Sequence, residues 1–359
     1  MPAPESPELA IALDAVRLAA RVCRNVQGSI SDDVLQKHDR TPVTVADFAA
    51  QAVVCRALQA AFPDVPIVGE EDAAELRQPE NAPLLERIQR ELAAVNVDGS
   101  PDDICRWIDH GNGKADSPRY WTLDPIDGTK GFLRGEQYAV SLALLVDYRL
   151  EVAVVGCPNL PSAQNRSRIR ENSGGQQPDG RILTNSATDA SADGVLQFAV
   201  RGQGAWQRPA DGTGDAVPIH VSPTTIPAEA RLCESVEKKH TAHSASARIA
   251  ADLGITREPV RIDSQAKYAV VARGDADFYL RLPRSQAPAW ERGYVEKIWD
   301  HAGGALLVEE AGGRVTDVDG HPLDWTHGDA LHANRGLIVT NGRLHDAVLA
   351  AVGVRLDCR

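Results

Sequence analysis

Residues 121–138 read Trp-Thr-Leu-Asp-Pro-Ile-Asp-Gly-Thr-Lys-Gly-Phe-Leu-Arg-Gly-Glu-Gln-Tyr. An apolar strand runs directly into two carboxylates, Asp124 and Asp127, with Pro125 and Ile126 between them and Gly128-Thr129 behind. Pro125 stiffens the backbone, and Gly128 lets it turn sharply. Two aspartates three residues apart on such a bend can enter one pocket and leave the Ile126 carbonyl as a third oxygen donor. Hard oxygen donors suit Mg²⁺, which takes octahedral oxygen sites and keeps positions for water or phosphate. The alternative is an ordinary turn, because Asp, Pro and Gly all favour turns.

The chain has 359 residues, enough for one large or two medium domains. An apolar content of 43% with 25% charged residues is that of a soluble globular protein. The net charge of −12 argues against a nucleic-acid polymer or an anionic membrane as the main partner. A small anionic substrate stays compatible, because a cationic pocket can sit in an acidic surface. Carboxylates gathered in one place need cations, which again points to metal. The six cysteines (Cys23, Cys55, Cys105, Cys157, Cys233, Cys358) are scattered, so buried free thiols in a reducing compartment are expected. Residues 1–5 lack the basic stretch and apolar core of a signal peptide, and no apolar run reaches membrane-span length. The expected location is cytoplasmic.

Ser6-Pro7 predicts an N-cap with proline at the first helical position, and Leu9, Leu13, Val16, Ala20 and Cys23 recur behind it at helical spacing. A second helix is expected from Thr44, where Thr-Val-Ala-Asp reads as a capping box, to the break at Pro63. A strand over 65–68 delivers Gly69-Glu70-Glu71-Asp72; a helix over 79–96 and an irregular connection over 97–119 follow. Strands are expected over 120–123, 139–146, 150–157 and 196–200, and a polar surface excursion over 162–181. The stretch 223–228 is the best boundary, giving units 1–225 and 226–359. In the second unit, strands over 231–235, 259–263, 278–282 and 336–340 alternate with helices over 243–253, 265–273, 299–311 and 344–352, a layered α/β pattern.

Thr44-Val-Ala-Asp47, Gly69-Glu-Glu71, Asp124-Pro-Ile-Asp-Gly-Thr129 and Trp299-Asp-His-Ala302 occur in this order. Together they resemble the lithium-sensitive, Mg²⁺-dependent sugar-phosphate phosphatases of the inositol monophosphatase superfamily. Residues 130–138, Gly202-Gln-Gly-Ala205, Ser235-Val-Glu-Lys238, Asp263-Ser-Gln-Ala-Lys-Tyr268, Tyr279-Leu-Arg-Leu-Pro283 and Glu296-Lys-Ile-Trp-Asp300 narrow the likeness. They are similar to the 3′(2′),5′-bisphosphate nucleotidases, and the likeness covers nearly the whole chain. It implies a layered αβαβα sandwich and removal of the 3′-phosphate of adenosine 3′,5′-bisphosphate, a by-product of sulfate assimilation and sulfonation, to give AMP. The related 3′-phosphoadenosine 5′-phosphosulfate stands as a further substrate to test.

Carried over by motif, the likeness implies Glu70, Asp124, the Ile126 carbonyl, Asp127 and Asp300 as ligands for two to three Mg²⁺ ions. Asp124 would bridge two of them, and a third ion would lie near Glu70 and Asp47. Asp47 and Thr129 are implied as a hydrogen-bonded pair that orients and deprotonates the attacking water. Gly128, Thr129 and Asp300 are further implied to meet the substrate. The 1–225 unit would then carry most metal ligands, and the 226–359 unit the nucleotide-binding residues and the last ligand. Phosphate monoesters hydrolyse among the slowest of uncatalysed reactions, and metal ions lower such barriers by activating water and neutralising phosphoryl oxygens. Without metal, the site should be partly disordered, or its crowded carboxylates should carry raised pKa values.

The second phosphate of such a substrate needs its own cations. Lys238, His240, Lys267 and Arg281 are the candidates, with Ser264 as a donor; His243 could replace His240. Most Lys and Arg residues lie on solvated faces, but Arg281 interrupts the apolar run 278–282, where an unpaired charge is costly. Asp300 could also cap the expected helix, a role compatible with a phosphate at the same helix end. Ala302-Gly303-Gly304 departs from the family, which usually has two alanines there, at a cost of about 1 kcal/mol per glycine. The 284–294 segment is longer and richer in proline than the family's and bears on substrate preference. The alternatives are an inositol-phosphate phosphatase and a non-catalytic nucleotide sensor. Retention of Asp47, Glu70, Asp124, Asp127, Thr129 and Asp300 argues against the sensor. The expected partner is a small phosphorylated nucleotide, and the chain is expected to be a monomer or weak homo-oligomer.

Overall fold

In the computed structural model, which describes residues 2–30, 41–162, 194–236, 243–283 and 295–357, Ser6 Oγ accepts from the Leu9 amide at 3.1 Å and opens α1 (Pro7–Gly28). Lys238, His240, Cys358, the 163–181 part of the expected excursion and the 284–294 segment lie outside the described residues. The second helix, α2 (Thr41–Ala61), begins three residues before the expected Thr44. Thr44 therefore stands inside the helix and is no cap. Pro42 explains the earlier start, because a first-turn residue has no intrahelical partner for the amide hydrogen that proline lacks. Pro79 opens a 3₁₀ turn ahead of α3 (Ala82–Ala93). The connection expected to be irregular contains a further helix, α4 (Pro101–Asp109). Ser100 Oγ accepts from the Asp103 amide at 3.2 Å, and Asp103 Oδ2 accepts from the Ser100 amide at 2.9 Å. That reciprocal cap, written as Ser-Pro-Asp-Asp, was the signal to read.

Seven strands lie side by side in chain order: β1 (Ile67–Gly69), β2 (Arg119–Asp127), β3 (Ala139–Val146), β4 (Arg149–Cys157), β5 (Val195–Val200), β6 (Ala205–Pro209) and β7 (Val217–Ile219). Only the β1–β2 pair is parallel. A second, mixed sheet has the order β11-β12-β10-β8-β9, built from β8 (Leu232–Glu234), β9 (Val260–Arg261), β10 (Phe278–Arg281), β11 (Arg314–Thr316) and β12 (Leu337–Thr340). The remaining α-helices among the described residues are α5 (Thr129–Leu133), α6 (His243–Asp252), α7 (Ala266–Ala272), α8 (Ala302–Glu310) and α9 (His345–Asp357). β6, β7, β11 and α5 were not anticipated; each is too short to show a hydrophobic period. α8 starts at Ala302 with His301 at the N-cap, so Asp300 precedes the cap and does not fill it.

Strand side chains alternate between faces, and here each alternation feeds a different core. Trp121, Leu123, Leu142, Leu144, Val154 and Phe198 pack with α1 and α2. Their neighbours Tyr120, Ala143, Leu145, Ala153, Val155 and Ala199 face α7 and α8. Those helices also take Cys233, Tyr279, Leu337 and Val339 of the second sheet, whose other face, Leu232, Phe278, Leu280 and Ile338, meets α6 and α9. The result is a five-layer αβαβα sandwich. α8 lies in its middle layer, and its residues 302–308 are apolar and buried all round, as in a helix covered on both sides. The five described cysteines are buried free thiols.

Gly303 and Gly304 are needed by this middle layer. A Cβ at Gly304 would lie 2.3 Å from Cγ of Tyr268, and one at Gly303 2.4 Å from Oγ of Ser141. The pair thus lets α8 approach β3 and α7, which outweighs its poor helix propensity. Gly304→Ala is expected to destabilise the fold by about 1–3 kcal/mol, the usual cost of overpacking. Urea unfolding at constant m-value measures it; an unchanged midpoint would mean the layer has room to spare.

Candidate active site

The Asp-Pro-Ile-Asp run is part of β2 itself, where the short strand 120–123 and a following turn were expected. Asp124 pairs with Ser141 and Asp127 with Ala139, so three steps on β2 oppose two on β3. The extra residue is a β-bulge, and Pro125, which cannot donate to the ladder, sits in it. In a regular strand residues three apart face opposite ways; the bulge restores a common side. Gly128 then turns the chain at φ +95° into α5. A Cβ there would meet the Ser264 Cβ at 2.8 Å, so glycine is required where the end of β2 touches Ser264. Ser264 itself holds a φ of +69°, an unusual conformation for a residue with a side chain.

The acidic residues drawn from four separate segments feel one another. Asp124 is 1% exposed, and loss of water, then the charges of Glu70, Asp127, Asp300 and Asp47, push its carboxyl well above the usual range. Glu70 lies at the exposed edge of the group and hydrogen-bonds Asp124. Desolvation, then Asp300, Glu71 and Asp127, push it up to about 8. Asp127 is brought up to about 6 by desolvation and Asp300, against the pull of Lys267 and Arg281. Asp47 is raised by burial and by Glu71 and Glu70. Asp124 Oδ1 is buried without a hydrogen-bond partner among the described residues. An all-oxygen donor set, mutually repelling and holding an orphaned buried oxygen, fits a hard divalent cation.

Thr129 is the exposed first residue of α5, and among the described residues no hydrogen bond joins it to Asp47. The expected pair is thus not made in this structure, because Thr129 faces solvent at the mouth of the cluster. Lys267 is 5% exposed and donates from Nζ to the Ser264 carbonyl at 2.9 Å. Arg281, at the end of β10, donates from Nε to Glu296 Oε1 at 2.9 Å. Ser264, Lys267 and Arg281 therefore come together beside Asp127. Lys238 and His240 lie outside the described residues, as does the side chain of His243.

Four residues that the sequence did not single out hold the site. Gln51, fully buried on α2, accepts from the Glu71 amide at 3.1 Å and donates to the Glu71 and Ile108 carbonyls, which pins the loop carrying Glu70. Gln265 donates its backbone amide to Asp127 Oδ2 at 2.5 Å and its side-chain amide to the Trp299 carbonyl at 2.9 Å. Its Oε1 accepts from Ser141 Oγ and from the Gly304 amide. Gln265 therefore ties β2, β3 and α8 together around the carboxylates. Glu296 and His301 complete the set. Polar residues on otherwise apolar helix faces were the available signal for the two glutamines. Glu296, Asp300 and His301 offer ligand atoms within 4.8 Å of one another, yet Glu296 already bonds Arg281 and His301. A cavity of about 540 Å³ opens beside Gly69 and Trp299, lined by Lys114, Asp116, Tyr148 and Asp329; it contains none of the expected ligands.

The family model described as the inositol monophosphatase family matches residues 6–354. A 3′(2′),5′-bisphosphate nucleotidase of Emericella nidulans is 40% identical over 354 residues, covering 94% of this chain and 95% of that protein. The 3′(2′),5′-bisphosphate nucleotidase 1 of Arabidopsis thaliana is 42% identical over 359 residues, with 96% and 95% covered. Among solved structures, an inositol monophosphatase from Anabaena sp. PCC 7120 aligns over 98% of both chains at 22% identity and a TM-score of 0.57. Mycobacterium tuberculosis SuhB aligns over 98% of both at 19% identity and a TM-score of 0.58. These structures share the layered fold. The chain belongs to the inositol monophosphatase family, alongside relatives named 3′(2′),5′-bisphosphate nucleotidase.

Proposed function

We propose that the chain hydrolyses the 3′-phosphate of adenosine 3′,5′-bisphosphate in a Mg²⁺-dependent reaction, giving AMP and phosphate, and that it accepts 3′-phosphoadenosine 5′-phosphosulfate in the same way. The observation that carries this reading is the meeting of a carboxylate cluster with Lys267 and Arg281, whose charges both act on Asp127. One side suits a reacting monoester, the other a second phosphate. The relatives at about 40% identity, named for this activity, support it.

Glu70, Asp124, the Ile126 carbonyl, Asp127 and Asp300 would hold two to three Mg²⁺ ions, which supply Lewis-acid polarisation of phosphoryl oxygens and a more acidic water. Asp47 takes the proton of the attacking water on a carboxylate oxygen, and its burial makes the ionised form a stronger base. Thr129 reaches Asp47 in the reacting complex and orients that water. Gly128 lets the backbone approach the phosphate without a side chain. The water oxygen bonds to phosphorus, the P–O3′ bond breaks with its electron pair on the ribose oxygen, that oxygen takes a proton from solvent, and Asp47 returns its own proton to solvent. Arg281, Lys267 and Ser264 hold the 5′-phosphate together with Lys238 and His240, or with His243 in place of the latter. Residues 1–225 would carry most metal ligands and 226–359 the nucleotide side. A place in sulfur metabolism in the cytoplasm, sensitivity to Li⁺, and a monomer or weak homo-oligomer belong to the same reading. Among the described residues, no helix is long and apolar enough to cross a membrane.

The experiment is phosphate release from purified protein with and without Mg²⁺. Release from adenosine 3′,5′-bisphosphate is expected only with the metal. The second reading, an inositol-phosphate phosphatase, is favoured by the family model alone. The kcat/KM for the nucleotide should exceed that for inositol monophosphate by about 100-fold, the discrimination that a paired second phosphate supplies. No release from the nucleotide with any divalent cation would end the proposal.

A further inference from the structure

Arg281 leaves β10 at its last position, and a chain of buried polar groups holds it there. Its Nε–H donates to Glu296 Oε1 at 2.9 Å. Glu296 Oε2 lies 3.1 Å from His301 Nε2, and His301 Nδ1 lies 2.8 Å from the Tyr268 hydroxyl. A carboxylate only accepts, so His301 donates from Nε2 to Glu296, while its Nδ1 shares a hydrogen bond with the Tyr268 hydroxyl. Hydrogen bonds therefore link Tyr268, His301 and Glu296, where Arg281 donates from the other side. His301 and Tyr268 are 2% and 1% exposed, too deep to touch a substrate. The Tyr268 ring is held edge-on by Tyr279, with centroids 5.6 Å apart. A buried polar network whose members are matched in this way is rigid.

The same groups imitate a metal centre, since Glu296, Asp300 and His301 offer ligand atoms within 4.8 Å. The hydrogen bonds separate them: both Glu296 oxygens and both His301 ring nitrogens are engaged within the network. About a quarter of the Arg281 side chain stays exposed, against 17% of Glu296 and 2% of His301. The arginine is thus the member open to a ligand. It stands within electrostatic reach of Asp127 and Asp300, which would draw a loose guanidinium into the carboxylate cluster.

We infer that Tyr268, His301 and Glu296 are positioning residues that fix Arg281 for the second anionic group of the substrate, and that Glu296 and His301 are not metal ligands. The inference rests on the proposed function for the identity of that group. An arginine already ordered by Glu296 loses less freedom on binding a phosphate, so the relay acts on substrate affinity and selectivity.

The test is a comparison of kcat and KM for adenosine 3′,5′-bisphosphate and adenosine 3′-monophosphate, with the Mg²⁺ concentration for half activation. The variants are Arg281→Met, Glu296→Gln, Tyr268→Phe and the Arg281→Met/Glu296→Gln double, each checked for fold by circular dichroism. Glu296→Gln is expected to raise KM for the bisphosphate about tenfold or more, the effect of removing one partner of a buried charged pair. The change for the monophosphate should be several-fold smaller, and the Mg²⁺ requirement should stay put. Tyr268→Phe, which keeps the ring, should move KM in the same direction by about threefold, the loss of one neutral hydrogen bond. The double variant should be no worse than Arg281→Met alone. Additive losses, equal losses on both substrates, or a raised Mg²⁺ requirement in Glu296→Gln would overturn the inference. Should the unmodified chain prefer a different monoester, the proposed function fails on that result alone. The Arg281–Glu296 cycle is then scored on the preferred compound, where additivity still sinks the relay.

Discussion

Asp124→Asn is expected to lower Mg²⁺-dependent phosphate release by about 10³-fold or more while leaving the metal-free protein as stable as the unmodified chain, or more so. The two halves of this result come from one environment. Asp124 is almost fully buried, with one carboxylate oxygen unpartnered, and it is crowded by Glu70, Asp127, Asp300 and Asp47. An amide in its place matches the neutral acid that burial and crowding favour without metal, and it removes a repelling charge wherever that acid ionises. The same change takes a charged oxygen from the centre of the donor set. Metal-dependent stabilisation of a phosphoryl transition state amounts to several kcal/mol, and each 1.36 kcal/mol is tenfold in rate. Phosphate release with saturating Mg²⁺ and thermal unfolding in a chelator measure the two halves separately. Full turnover in the variant would remove Asp124 from the ligand set. Marked destabilisation of the metal-free variant would show that its carboxylate has a compensating partner.

The parts legible in the sequence were those with a long period or a distinctive chemical word. α1 was announced by Ser6-Pro7 and its apolar face at helical spacing, and β3 by a run over 139–146 that is aliphatic but for Ser141, as both faces of a covered sheet require. Motif order led to the family, and the carboxylates it named act on one another electrostatically. What stayed hidden depends on partners distant in sequence. The bulge at Pro125 exists only against β3, so the local reading gave a turn where the chain forms a strand. Gly303 and Gly304 read as weak helix formers until Ser141 and Tyr268 are seen against them. Gln265 looks like one polar residue in a short helix, yet it bonds groups on β2, β3 and α8. Glu296 and His301 showed no ligand-like spacing, because their role is to bond each other, Arg281 and Tyr268.

Magnesium is expected to raise the melting temperature more at about pH 8.5 than at about pH 5.5, because the folded metal-free chain sheds its extra carboxylate protons across that interval. In the fold Asp127 is raised to about 6 and Glu70 to about 8, from ordinary values of 3.8 and 4.5, and Asp124 is raised as well. Between the unfolded and folded values the native chain holds the extra protons. The stability they lend is complete below about pH 4 and is lost as pH rises through 6 and then 8. Glu296 works in the opposite sense: its hydrogen bonds to His301 and Arg281 overcome the penalty of burial and hold it at about 2. Its contribution is present above 4.5 and is lost only in strong acid. The metal-free protein should therefore be most stable in mildly acidic solution and weaken toward alkaline pH, with exposed Glu70 contributing least because water screens it. A divalent cation substitutes for the missing protons, so its binding should release protons below pH 8 and tighten as pH rises. Differential scanning fluorimetry in chelator and in saturating Mg²⁺, across this range, reads the difference directly. A magnesium shift that is the same at both ends would mean that the carboxylates are already ionised in the folded chain, and that their crowding is relieved by something other than the cation.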